Sequence, residues 1–495
     1  MTRAVALFLL SLPMLGGCSF IPAYSYYNRE AAISDGGQSA LDVPRPVENV
    51  YRTVSLRPLV PEAVTAGTRK ASLQTVPWYV APACRTAVFG GSVAPPSGPC
   101  HDENFVALSI SGGGSRAAIF SAAVMFELER YGLLDDVDLL SCVSGGCLTA
   151  GYYALSCSDR TDTSTCPPTT NGAQRYLWQE NEIYPLLERR LLLRWFGNWF
   201  WPDNILKFWF THFDRTDIMA ETLSNNLYDR SILDNNQFRF RDLNPARPNL
   251  AINATRVVAD IDGHYHFAFT PETFAEARSD LDRYPVANAV MASAAFPGAF
   301  NYVTLRDFRA GNYIHLLDGG AYDNLGLTAI RTAMESKNNR GPGGELPANR
   351  IVIIIDAYMA LANDLSREAE VRSWTDYFVD SNFFVAYDTL LTSLRATQLG
   401  LAESLLREND GTLLHISWEN LDKDPNPEIA WLGNRLNRIP TSFNITEKNA
   451  DRLRQAARIV VTRTLTKVLC DPNRPDDARR IRALLSPSAP PVSCR

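Results

Sequence analysis

Three features of the sequence predict an α/β fold with a mainly parallel sheet covered by helices. A strand, a tight turn and a helix occur twice in succession between residues 104 and 155. A later run, RIVIIIDAY at 350–358, is apolar without alternation, as a strand buried on both faces must be. The chain has 495 residues, 46% hydrophobic and 21% charged, which supplies a full core and excludes a disordered or polytopic membrane protein. Its formal net charge of -6 gives no basic field for a phosphate backbone, so nucleic acid is not an expected partner.

Met1 to Cys18 has one Arg, an apolar run from Ala4 to Leu12, and then small residues, the pattern of a signal peptide too short to span a bilayer. Leu15, Gly16, Gly17 and Cys18 resemble a bacterial lipobox, which implies removal of residues 1–17 and lipid attachment at Cys18. Ser19 stands where inner-membrane retention would show Asp, so the resemblance implies a lipid anchor in the bacterial cell envelope, at the outer membrane. Residues 18–100 hold ten of the thirty prolines and read as a tether and irregular extension.

The main domain is expected over 101–470. FVALSI is its first strand, and the helix RAAIFSAAVMFELERY follows the turn GGGS and stops at Gly132. VDLLSCV is the next strand, SGG the next turn, and CLTAGYYAL the next helix. LAINATRVVA at 250–259 adds a strand, and NADRLRQAARIVVTRTLTKVL at 449–469 a late helix. A helical insertion is expected at about 170–230, and 471–495 reads as a C-terminal tail.

Without Cys18 eight cysteines remain, and proximity suggests Cys84 with Cys100, Cys157 with Cys166 and Cys470 with Cys494. Cys142 and Cys147 are either two buried thiols or a further bridge. The six histidines are scattered without zinc-ligand spacing, and neither a metal nor a cofactor is expected.

Three motifs carry chemistry. Ser111-Gly112-Gly113-Gly114-Ser115-Arg116 joins a strand to a helix; its glycines let successive N–H groups point into one space at a helix N-terminus, where negative charge is favoured. It lacks the Gly-Lys-Ser/Thr of a P-loop and the spaced glycines of a dinucleotide site. Cys142-Val143-Ser144-Gly145-Gly146 places Ser144 on the next strand-to-helix turn, resembling the G-x-S-x-G elbow with Cys142 in place of the first Gly. Ser144 there suits a nucleophile and equally a helix N-cap. Asp318-Gly319-Gly320 follows an apolar strand and offers a carboxylate base, although Asp-Gly turns also simply close loops. Neither His264 nor His315 stands in a triad context.

In this order the three motifs, with MASAAFPGAF at 291–300 and NATR at 253–256, resemble the patatin-like phospholipase family and the related cytosolic phospholipase catalytic domain. The resemblance implies a three-layer α/β/α fold and a Ser-Asp dyad without His. It implies Ser144 as nucleophile and Asp318 as base, with Gly113, Gly114, Ser115 and Gly145 holding the oxyanion and Arg116 engaging a phospholipid phosphate. The expected activity is hydrolysis of lipid acyl esters, with membrane phospholipid as the substrate partner. The alternatives are acyl transfer to an alcohol, or an inactive lipid-binding envelope protein.

Residues 186–213 contain four of the nine tryptophans beside Arg189, Arg190, Arg194 and Lys207. This composition suits either a membrane-docking lid or the core of the helical insertion. A second aromatic segment from Trp374 reads as a core helix.

Overall fold

A computed structural model describes residues 104–163, 165–169, 174–228, 237–336, 347–357, 381–408 and 410–494. The signal peptide, Cys18, the tether, the Cys84–Cys100 pair and the start of the second aromatic segment lie outside the described residues.

Strands β1 (Asn104–Ile110), β2 (Leu139–Val143) and β3 (Asn249–Arg256) are followed by β4 (His266–Phe269), β5 (Val303–Arg306), β6 (Tyr313–Asp318), β7 (Asn349–Asp356) and β8 (Gly411–Ser417). They form one sheet in the order β5-β6-β3-β2-β1-β7-β8, with β4 also on β3. The five strands from β3 to β8 in that order pair in parallel, whereas β4 and β6 pair antiparallel with β3, and β5 with β6.

The unbroken apolar run of β7 has a direct physical cause. Ile351, Ile353 and Ile355 point into one core and Val352 and Ile354 into another on the opposite face. In β1, Val106, Leu108 and Ile110 share the first core and Phe105 and Ala107 the second. Both faces are therefore dry, and period-two alternation would have left polar groups buried. Helices α1 (Gly114–Tyr131) and α2 (Gly146–Leu155) cover the first face, and α1 is capped at Gly132, whose φ of 83° is left-handed. This is the expected α/β fold with a mostly parallel central sheet.

The insertion supplies α3 (Glu180–Leu187), α4 (Leu191–Trp199), α5 (Pro202–Phe210) and α6 (Arg215–Leu223). Then follow α7 (Pro271–Glu276), α8 (Val286–Ser293), α9 (Gly320–Asp323), α10 (Leu327–Glu335) and α11 (Ser381–Glu408). Ile330 of α10 and Leu406 of α11 belong to the second core. α12 (Pro427–Leu436) and α13 (Glu447–Leu469) follow, and α13 buries Ala450, Leu453, Ala457 and Val461 as its periodicity requires.

The residues after Pro472, expected to be a tail, instead contain α14 (Pro475–Leu484). Ala478, Ile481 and Leu484 are buried at helical spacing, a short amphipathic pattern hidden in sequence by five charged neighbours. Disulfides join Cys470 to Cys494 and Cys157 to Cys166, and a third joins Cys142 to Cys147.

Candidate active site

The register of β3 brings two distant turns together. β2 runs parallel to β3 and ends with Val143 opposite Asn253, while β6 runs antiparallel and ends with Asp318 opposite Ala254. Their C-terminal ends thus meet at adjacent positions of one strand. Ser144 Oγ donates to Asp318 Oδ2 at 3.0 Å, and Gly320 N–H donates to Asp318 Oδ1 at 2.7 Å. Burial pushes the Asp318 carboxyl up from its ordinary range to about 6, against the opposing pull of the Gly320 and Ser144 hydrogen bonds.

Ser144 has φ 48°, a left-handed conformation that is costly for a side chain with a Cβ. Several contacts hold it there. Its N–H donates to Ser293 Oγ at 2.8 Å, and Ser293 Oγ in turn donates to the Asn253 carbonyl. Asn253 Nδ2 donates to the Cys142 carbonyl at 2.8 Å, and the Cys142–Cys147 disulfide spans the turn itself. Two roles that sequence reading missed, those of Ser293 and Asn253, lie in the MASAAFPGAF and NATR segments it had singled out.

The Gly-rich turn lies against the Ser144 turn so closely that a Cβ on Gly145 would stand 2.1 Å from the Gly114 carbonyl oxygen. Gly113 and Gly114 have φ of 138° and 60°, backbone that side chains with a Cβ rarely adopt. Ser115 departs from expectation: its N–H donates to the Ser442 carbonyl at 2.7 Å, so that amide is engaged by the α12–α13 connection rather than aimed at a ligand. Arg116 is 4% exposed, lines the cavity, and donates through one guanidinium nitrogen to the Ile439 carbonyl at 2.7 Å. Asn324, also missed, packs between the turns, its Oδ1 2.4 Å and 2.9 Å from where Cβ atoms on Gly112 and Gly320 would stand.

These groups open into a cavity of about 640 Å³. Ser144, Asp318 and the three glycines line its polar end, and Leu192, Trp195, Phe296, Phe300, Leu391 and Phe443 its apolar wall. A second charged group also lines the cavity. Arg395 pairs with Asp356 at 2.6 Å and Glu419 at 2.7 Å, and His415 Nε2 lies 2.9 Å from Asp356. Burial alone would raise the Asp356 carboxyl, yet the His415 and Arg395 contacts hold it below its ordinary range. Among the described residues no histidine lines the cavity; His315 bonds Thr304, and His266 bonds Asn253. A second cavity of about 730 Å³, lined by His212, Asp214, Tyr302 and His315, contains neither Ser144 nor Asp318. Asp260, Asp262 and His264 could share a metal ion, but they sit in the β3–β4 loop rather than in either cavity.

Among curated proteins none matches the chain. Human GIVD cytosolic phospholipase A2 superposes with TM-score 0.41 and 12% identity, covering 77% of this chain and 60% of that one. The same human protein in complex with methyl gamma-linolenyl fluorophosphonate and terbium chloride gives TM-score 0.41 and 12% identity over 85% and 64%. VipD from Legionella pneumophila gives 0.25 and 13% over 73% and 68%. The chain thus spans less than two thirds of the length of the human proteins. Residues 108–330 match the family model described as Patatin-like phospholipase, an interval that contains the Gly-rich turn, Ser144 and Asp318. Over residues 108–330, which carry Ser144, Asp318 and the Gly-rich turn, the chain therefore holds a patatin-like phospholipase family domain.

Proposed function

We propose that the chain is a serine acyl hydrolase that cleaves carboxylic esters of lipids, in the manner of a phospholipase A or lysophospholipase. The observation that carries this reading is the 3.0 Å hydrogen bond from Ser144 to a buried Asp318 at the polar end of an apolar cavity. Ser144 Oγ attacks the ester carbonyl carbon while Asp318 takes its proton. The oxygen of the tetrahedral intermediate becomes negative and is met by the N–H groups of Gly113, Gly114 and Gly145, each donor lowering the barrier by ~3–4 kcal/mol. Collapse expels the alcohol, which recovers the proton from Asp318, and leaves an acyl-Ser144 ester. Water, deprotonated by the same carboxylate, then attacks the acyl carbon; the bond to Ser144 Oγ breaks, Oγ recovers the proton from Asp318, and the fatty acid leaves.

The apolar wall suits an acyl chain, and Arg116 beside the glycines suits a lipid phosphate. Ser115 is left out of the oxyanion hole, because its N–H is taken by Ser442. Lipid attachment through Cys18 and residence at the outer membrane belong to the same proposal, resting on the lipobox-like Leu15 to Cys18. The test is fatty-acid release from phospholipid vesicles by the full chain. Hydrolysis that Ser144→Ala abolishes supports the reading, and a variant that retains most activity overturns it.

A further inference from the structure

We propose that the outward faces of α4 and α5 form a docking surface for a lipid bilayer, placed so that acyl chains pass from the bilayer into the Ser144 cavity. This deepens the hydrolase reading and rests on it only for the second half of that statement. Among the described residues sixteen large apolar side chains are exposed, and seven fall in the eighteen residues from Leu193 to Phe210. Leu193 and Phe196 on α4 and Phe200 at its C-cap recur at helical spacing, 56 to 65% exposed. Trp201 at the junction and Leu206 and Phe210 on α5 extend the patch.

The neighbouring stripe of α4 is anchored, so the exposed stripe is not a loosely packed core. Trp195 Nε1 donates to the Arg215 carbonyl at 2.9 Å, and its ring lies 5.4 Å from that of Phe300. Trp199 packs between Trp195 and Phe208, tying α4 to α5. The two readings of this segment therefore divide by face: one stripe is packing, the other is not covered by the described residues.

The occupant follows from continuity and chemistry. Leu192 and Trp195, one position back from Leu193 and Phe196, line the Ser144 cavity, so a single helix separates the cavity from the apolar patch. Arg190 and Arg194 lie exposed at the start of that helix. Aromatic and aliphatic side chains bordered by cations match the headgroup boundary of a bilayer containing anionic lipid, where rings bury and guanidinium groups stay wet.

The test is hydrogen exchange on the full chain carrying Cys18→Ser, which removes the acylation site, with and without vesicles of phosphatidylcholine and phosphatidylglycerol. Vesicles should slow exchange across residues 191–210 in this chain and equally when Ser144→Ala is added. Adding Phe196→Ser, Phe200→Ser and Leu206→Ser should remove that protection. With each side chain giving roughly a five-fold partition gain, it should also lower kcat/KM on vesicle phospholipid about 100-fold. Its melting temperature and its activity on a water-soluble butyrate ester should not change. Leu193→Ser with Phe210→Ser provides a second variant at the patch edges. The proposal is overturned if vesicles leave exchange at 191–210 unaltered, or if those residues are already protected without vesicles by another part of the chain or a protein partner. It is equally overturned if the triple variant remains protected. Loss of all ester hydrolysis with protection intact would sink the hydrolase reading alone.

Discussion

Replacing Asp318 with Asn should raise stability at neutral pH while removing activity. The native carboxyl is pushed up to about 6 from an ordinary value of 3.8, because it is 5% exposed and burial disfavours its charged form. The folded state therefore binds this proton more tightly than the unfolded state. Between about pH 4 and pH 6 the folded chain holds more protons, so this group's contribution to stability declines as pH rises through that window. Above it the penalty is complete, at roughly 3 kcal/mol for a shift of about two units. Asn preserves the acceptor for Gly320 N–H and a partner for Ser144 Oγ without the buried charge. Denaturant melts should show Asp318→Asn more stable than wild type by roughly 2–3 kcal/mol at pH 7.5, with the difference vanishing near pH 4. In the proposed mechanism the same pKa sets activity, since only the carboxylate would accept the Ser144 proton. The kcat/KM of wild type on a soluble ester should fall below pH 6, reaching about one tenth at pH 5. An acid limb at pH 4.5 or lower, or an Asn variant no more stable than wild type at pH 7.5, would refute the reasoning.

Three further outcomes follow from the same geometry. Gly145→Ala should abolish activity and cost more than ~2 kcal/mol, because the new methyl meets the Gly114 backbone at 2.1 Å and neither turn can yield; an active, stable variant would contradict the placement of the turns. Ser293→Ala should lower kcat about ten-fold with KM little changed, since the Ser144 N–H loses its acceptor while the cavity is untouched; an unaltered kcat would remove Ser293 from the positioning role. The double change Cys142→Ala with Cys147→Ala should cost about 2 kcal/mol of stability, as expected for opening so short a loop, and a melting temperature equal to wild type would argue against the bridge.

Most of the fold was legible because its signals are local. β1, β2 and β7 announce themselves as apolar runs, and the turns between strand and helix carry Gly clusters. The pairing of Ser144 with Asp318 was legible only through the joint resemblance of three motifs. No spacing in the sequence says that Ser144 and Asp318, 174 positions apart, end on neighbouring residues of β3. Ser115 misled because its engagement depends on Ser442, more than three hundred residues away and in a segment without a motif. α14 was missed because Asp and Arg dominate its ten residues and conceal three buried apolar positions. The aromatic segment could not be resolved from composition, since its packed and exposed stripes alternate within single turns of α4.

The most direct test of the central claim is covalent labelling of the full chain with a fluorophosphonate probe, with the modified peptide located by mass spectrometry. An activated Ser144 beside Asp318 predicts a single adduct on Ser144, lost in Ser144→Ala and greatly slowed in Asp318→Asn. A folded wild-type chain that takes no label, or one labelled equally after Ser144→Ala, would contradict it.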